Sequence, residues 1–217
     1  MRVTPVIDRL RAEYGRPTGH RRLPALEELV LTILSQNTSD VNRDRAYARM
    51  RERFPTWEKV RDAPEADLVD ALRPGGLANS KAPRIQAVLR SLDRLDLDWL
   101  SDREPEDAIA WLTRLPGVGL KTASCVLLFS FAVPVMPVDT HVHRVATRLG
   151  LIPAGTNAVR AHAILTELTP AARMLEAHLL LIQHGRRTCL ARRPRCHDCV
   201  VLDLCPYGKR YLETGVA

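Results

Sequence analysis

The chain has 217 residues, 46% of them hydrophobic, which is enough to bury one large or two small cores and excludes a disordered polypeptide. A formal net charge of +7 favours a polyanionic partner such as nucleic acid. The N-terminal MRVTPVIDRLRAEYGRP lacks an apolar run of signal-peptide length, and no run of about 18 apolar residues occurs, so a cytoplasmic chain with no membrane partner is expected.

In chain order, Leu26, Leu29, Val30, Ile33 and Leu34 share one helical face, and Pro24 suits the first turn of that helix. Helical spacing then predicts helices near 41–54, 64–72, 81–95, 105–115, 121–131, 141–149, 158–168 and 170–184. Asp62 and Ser80 occupy capping positions ahead of two of them. Only VPVMPV (133–138) reads as extended, and its two prolines argue against a central strand. The pattern predicts an all-α fold without a repeat solenoid. After His184 the tail GRRTCLARRPRCHDCVVLDLCPYGKR carries seven basic residues against two acidic ones.

That tail holds four of the five cysteines, and the rest of the chain would go unstapled in a disulfide framework, so a metal site is the better reading. Cys189, Cys196, Cys199 and Cys205 are spaced C-x6-C-x2-C-x5-C, short enough for four thiolates to converge on one centre. Structural zinc sites usually use two close cysteine pairs, and only one is present here. An iron-sulfur cubane is wider than a single ion and accepts spread ligands, so spacing favours [4Fe-4S] while leaving zinc open. His197, inside the close pair, reads as a solvated bystander, and Cys125 in KTASCVLLFSF as a small buried hydrophobe.

The stretch LPGVGLKTAS (115–124) places Gly117, Val118 and Gly119 just before a predicted helix, with Lys121 in its first turn. Two glycines let such a turn aim N–H groups outward, and a helix start then suits a phosphate; an ordinary tight turn between two helices has the same pattern. The positive end of the helix dipole disfavours an ammonium by a few tenths to about 1 kcal/mol. Lys121 therefore either reaches out to an anion or serves as a nucleophile, which must be a neutral amine. Asp139, in VDTHVHRV, reads as a helix N-cap. A carboxylate so fixed also has the placement that stabilising a cationic sugar requires.

Together LPGVGLKTA, VDTHVHRV and HGRRTCLARRPRCHDCVVLDLC resemble the endonuclease III family of helix-hairpin-helix DNA glycosylases, with LSQNTSD (34–40) and GLANSKA (76–82) also family-like and in order. The resemblance implies a six-helix barrel domain bearing the hairpin (21–132) beside an iron-sulfur cluster domain formed by 1–20 and 133–217, with a DNA-binding groove between them. It raises [4Fe-4S] over zinc, with the four tail cysteines as ligands. It implies a base-excision-repair glycosylase with abasic-site lyase activity on oxidised pyrimidines, acting as a monomer on double-stranded DNA with damaged bases or abasic sites, in the cytoplasmic pool associated with the nucleoid. By motif, Lys121 is its catalytic lysine and Asp139 its catalytic aspartate, with Gly117, Val118, Gly119 and His141 at the DNA.

Gln36, Asn37 and Leu77 align with segments that fill the gap left by an extruded nucleotide. Gln36 and Asn37 equally suit a helix end, Leu77 a core, and His141 a packing role at its helix start. This sequence departs from the family at Asn37, where glutamine is usual, and at Leu120, where a basic residue commonly precedes the lysine. Arg144, Arg148, Arg186, Arg187, Arg192, Arg193 and Arg195 are available for a basic surface, and His184 with Gly185 for shaping the entrance to the cysteine loop. Two other functions fit parts of the pattern: a monofunctional mismatch glycosylase of the same superfamily, whose members usually lack a lysine here, and a non-catalytic iron-sulfur module that binds DNA or senses redox state.

Overall fold

The computed structural model describes residues 3–18 and 21–215; the expected domain boundary at residue 20 lies outside the described residues. Twelve α-helices occur among them: α1 (Val3–Tyr14), α2 (Ala25–Leu34), α3 (Asp40–Arg53), α4 (Trp57–Asp62), α5 (Glu65–Leu72), α6 (Ala78–Arg90), α7 (Pro105–Leu112), α8 (Leu120–Phe131), α9 (Thr140–Arg148), α10 (Ala158–Leu168), α11 (Met174–Arg187) and α12 (Pro206–Thr214). No strand forms among the described residues, so the fold is all-α. The chain divides into two compact units: Arg22–Phe131, and the described residues of Met1–Arg21 with those of Ala132–Ala217.

In Arg22–Phe131 the apolar face of α2 supplies Leu26, Leu29, Val30, Ile33 and Leu34, all buried, against α8. Thr122 through Leu128 of α8 are buried on every side, as expected of a helix at the centre of a core. α3 packs on α5, and α6 on α4 and α5. Two expected caps are placed differently. Asp62 ends α4 and Pro64 precedes α5, while α6 starts at Ala78 behind Leu77 and takes Ser80 into its first turn. The unpredicted α4 spans six residues, too few for a hydrophobic period to show.

In the other unit α11 packs on α1 and α9. Val3, Val6, Ile7 and Leu10 of α1 are buried, a helical stripe that the sequence reading passed over. Residues 133–138 are an irregular segment in which the Val135 N–H donates to the Val133 carbonyl at 2.8 Å. The Met136 N–H donates to Thr166 Oγ1 of α10 at 2.9 Å. Among the described residues no helix is long and apolar enough to cross a membrane.

Candidate active site and metal centre

The glycine turn between α7 and α8 is closed by the Val118 N–H donating to the Leu115 carbonyl at 3.1 Å, and the Val118 side chain is buried. Gly117 has φ +71°, a conformation that other residues resist, and a Cβ there would stand 2.7 Å from Arg84 Nε. Of the two glycines expected to use that freedom, only Gly117 does. Gly119 instead contributes openness: a Cβ on it would meet nothing within 4 Å, and its carbonyl accepts the Ala123 N–H at 3.0 Å to begin α8. The first N–H groups of a helix have no intrahelical partner, and the first turn of α8 contains no acidic residue to offset them. Lys121, half-buried, is the second residue of this turn.

Glu28 on α2 faces the same region and was missed by the sequence reading. Burial pushes its carboxyl up to about 7, opposed by the Thr32 hydroxyl, which donates to Oε1 at 3.0 Å, and by the charges of Arg43 and Lys121. Its i, i+4 spacing to Thr32 among leucines was the available sign.

Asn37 and Leu77 share a backbone peculiarity, φ +53° and +51°, the left-handed region that asparagine tolerates and that disfavours a leucine by about 1–2 kcal/mol. Leu77 is 56% exposed, which sets aside a core role, and Asn37 is exposed as well. Gln36 Oε1 accepts from Arg84 Nη1 at 2.7 Å, so Gln36 is tied to α6 while Asn37 stands outward.

Asp139 caps α9: its Oδ1 accepts from the Val142 N–H at 2.7 Å. It belongs to one unit of the chain and Lys121 to the other. His141 lies against α11, where a Cβ on Gly185 would fall 2.9 Å from His141 Cβ. Arg144 Nη2 lies 3.1 Å from His141 Nδ1, the guanidinium being able only to donate.

Arg144 and Arg148 are not the open basic surface expected of them. Arg144 donates to the carbonyls of Gly185 (2.8 Å) and Cys189 (3.0 Å), and Arg148 to those of Leu190 (2.6 Å) and Ala191 (3.1 Å). Arg186, Arg187, Arg192, Arg193, Arg195 and His197 are exposed.

The loop these two arginines hold brings Cys189, Cys196, Cys199 and Cys205 to the wall of one cavity, beside His184 and Tyr207. Burial, with the other thiols behind it, raises Cys196, Cys199 and Cys205 above the ordinary thiol range, Cys199 to about 11. Donors nonetheless point at the sulfurs: Arg148 Nη1 at Cys189 Sγ (3.4 Å) and the Gly208 N–H at Cys205 Sγ (3.3 Å). Among the described residues no three such side chains converge on the position of a single ion. Four thiols around one cavity, two of them met by N–H groups, fit a cluster wider than one ion. His184 sits behind, its Nδ1 2.9 Å from the Tyr14 hydroxyl, and burial lowers it to about 4.

Comparison with known families agrees with this arrangement. Residues 30–171 match the HhH-GPD superfamily of base excision DNA repair proteins, and residues 189–205 the iron-sulfur binding domain of endonuclease III. The chain belongs to the endonuclease III family. It is 35% identical over 206 residues to endonuclease III of Escherichia coli, covering 94% of this chain and 95% of that one. A non-covalent endonuclease III–DNA complex matches with a TM-score of 0.82 at 29% identity over 98% of this chain and 97% of that one. A trapped endonuclease III–DNA covalent intermediate matches with a TM-score of 0.81 at 28% identity over 97% of each chain. The protein is therefore a base-excision-repair DNA glycosylase/lyase that carries a [4Fe-4S] cluster.

Proposed function

We propose that the chain removes oxidised pyrimidines from duplex DNA and then nicks the strand, with Lys121 as nucleophile and Asp139 as its electrostatic partner. The observation that carries this reading is the place of Lys121: the first turn of α8, behind an open glycine turn and with no acidic residue in that turn. A helix start disfavours the ammonium and so favours the amine. The open face at Gly119 admits a backbone phosphate to the N–H groups heading α8, while Gly117 and the buried Val118 shape that turn. The amine attacks C1′ of an extruded nucleotide, and the base leaves with a proton. The C1′–O4′ bond of the adduct then breaks, opening the sugar to a Schiff base whose 2′ proton departs as the 3′ phosphate is eliminated.

Asp139, held by its cap, stabilises the developing oxocarbenium charge and assists deprotonation of the amine. Leu77 and Asn37, exposed and outward, fill the vacated stack, with Gln36 supporting that loop. His141 steadies α9 against α11. Residues 21–132 act as the barrel domain, and 1–20 with 133–217 as the cluster domain. Cys189, Cys196, Cys199 and Cys205 would hold the [4Fe-4S] group, which when bound supplies a rigid cross-link for the basic loop. The enzyme works as a monomer in the cytoplasm, on nucleoid DNA.

Borohydride added to the protein with thymine-glycol duplex should trap a covalent complex. Lys121→Ala should reduce trapping by about three orders of magnitude or more. Trapping that survives Lys121→Ala at the wild-type rate would remove the lysine from this role. Base release with no trapping in the wild type would support a monofunctional glycosylase instead. Asp139→Asn keeps the helix cap, so a loss of activity at unchanged stability separates the charge from the cap.

A further inference from the structure

Lys81 is the largest side chain in the fully buried set, 2% exposed, on the face of α6 that also carries Ala78, Ala82 and Ile85. Its Nζ donates to the Leu34 carbonyl at 2.7 Å and to the Gly75 carbonyl at 2.9 Å. Leu34 ends α2, three residues before Asn37, and Gly75 closes the 3-10 turn Arg73–Gly75, two residues before Leu77. One ammonium thus holds those two carbonyl oxygens within about 6 Å of each other, next to two residues in left-handed conformations.

A buried charge is costly, and an apolar side chain of equal length would fill the same space without that cost. Desolvation indeed lowers the Lys81 amine from its ordinary range. What an apolar side chain cannot do is satisfy two inward-facing carbonyls and fix the spacing of the loops that own them. A left-handed leucine persists only where the surroundings over-determine it, and here the held carbonyls stand three residues before Asn37 and two before Leu77. One turn further along α6, Arg84 braces the first loop again through Gln36 and lies over Gly117.

We propose that Lys81 is a positioning residue for nucleotide extrusion, its buried ammonium setting Asn37 and Leu77 at the separation that lets them enter the base stack together. The inference rests on the wedge reading of those two residues, and the test separates the two.

Lys81→Met preserves length and apolar fill. In the cluster-containing protein, 2-aminopurine placed opposite the lesion reports unstacking on duplex thymine-glycol DNA, and cleavage of a single-stranded abasic oligonucleotide reports chemistry that needs no extrusion. Lys81→Met should lower the unstacking rate and duplex turnover about tenfold while single-strand cleavage stays within about twofold. Adding it to Leu77→Ala should cause no further loss, since both act on one step. The proposal is overturned if Lys81→Met extrudes normally, if duplex and single-strand activities fall by the same factor, or if the two losses multiply. Normal extrusion by Leu77→Ala would remove the wedge reading and this inference with it. A defective Leu77→Ala beside a normal Lys81→Met would remove this inference alone. Should Lys81→Met fail to fold, Lys81→Arg, which keeps the charge but displaces the donors, should show the same split, and an equal fall in both activities would refute it.

Discussion

Two loops of this chain are held by cations donating to main-chain carbonyls, one in each unit, and by different means. In Arg22–Phe131 a single ammonium, Lys81, is buried in the core and reaches two oxygens. In the cysteine loop two half-buried guanidinium groups, Arg144 and Arg148, spread over the carbonyls of Gly185, Cys189, Leu190 and Ala191. The ammonium is a compact point that pins two short turns together; the guanidinium is a planar fork that spans a wider, irregular loop. The loops also differ in what completes them. Lys81 closes its site with protein groups alone, whereas the arginines close a loop around four cysteines gathered at one cavity. Coordination requires thiolates, so binding the cluster is coupled to folding of that loop.

The comparison breaks first at the metal. Cys196→Ser should abolish the brown visible absorbance and open the arginine-rich loop to trypsin; structural metal sites contribute on the order of 10 kcal/mol. A colourless variant whose loop resists trypsin as the wild type does would mean that the two arginines suffice.

On the Lys81 side the next effect is electrostatic, on α2, whose end Lys81 holds. The folded Glu28 carboxyl keeps its proton up to about pH 7, while the unfolded one releases it near 4.5. Stability therefore falls as pH rises through that window and is level above it. Glu28→Gln retains an acceptor for Thr32 and should raise unfolding stability at pH 8 by on the order of 3 kcal/mol, with little change near pH 4. Urea denaturation at both pH values checks the difference, and an equal gain at both would point to packing rather than charge.

The smallest expected effect sharpens the link between strain and function. Leu77→Gly relieves the left-handed backbone and forfeits little burial, so it should stabilise by about 1 kcal/mol, seen as a rise of a few degrees in Tm, while duplex glycosylase activity falls. A fall in Tm would show that the exposed leucine packs where its exposure says it does not.

The sequence was most legible where chemistry or period repeats. The apolar stripe of α2, the capping oxygen of Asp139 and the gathering of four cysteines at one cavity all follow from local spacing. It was least legible where a helix is short or poor in helix formers. α12 contains Pro206 and Gly208, and its start depends on Cys205 Sγ accepting the Gly208 N–H. Arg144 and Arg148 read as surface charge because nothing in their neighbours announces carbonyls more than forty residues away.

By itself, then, the sequence determined the all-α class, the metal-binding loop and the lysine at a helix start, since each depends on residues within a turn or two of one another. Only the tertiary structure decided that Lys81 would leave solvent, that Glu28 would hold its proton, and that Leu77 would stand exposed in a left-handed turn. Those outcomes depend on which carbonyls, cations and apolar faces arrive from distant parts of the chain, and burial multiplies the effect of each arrival.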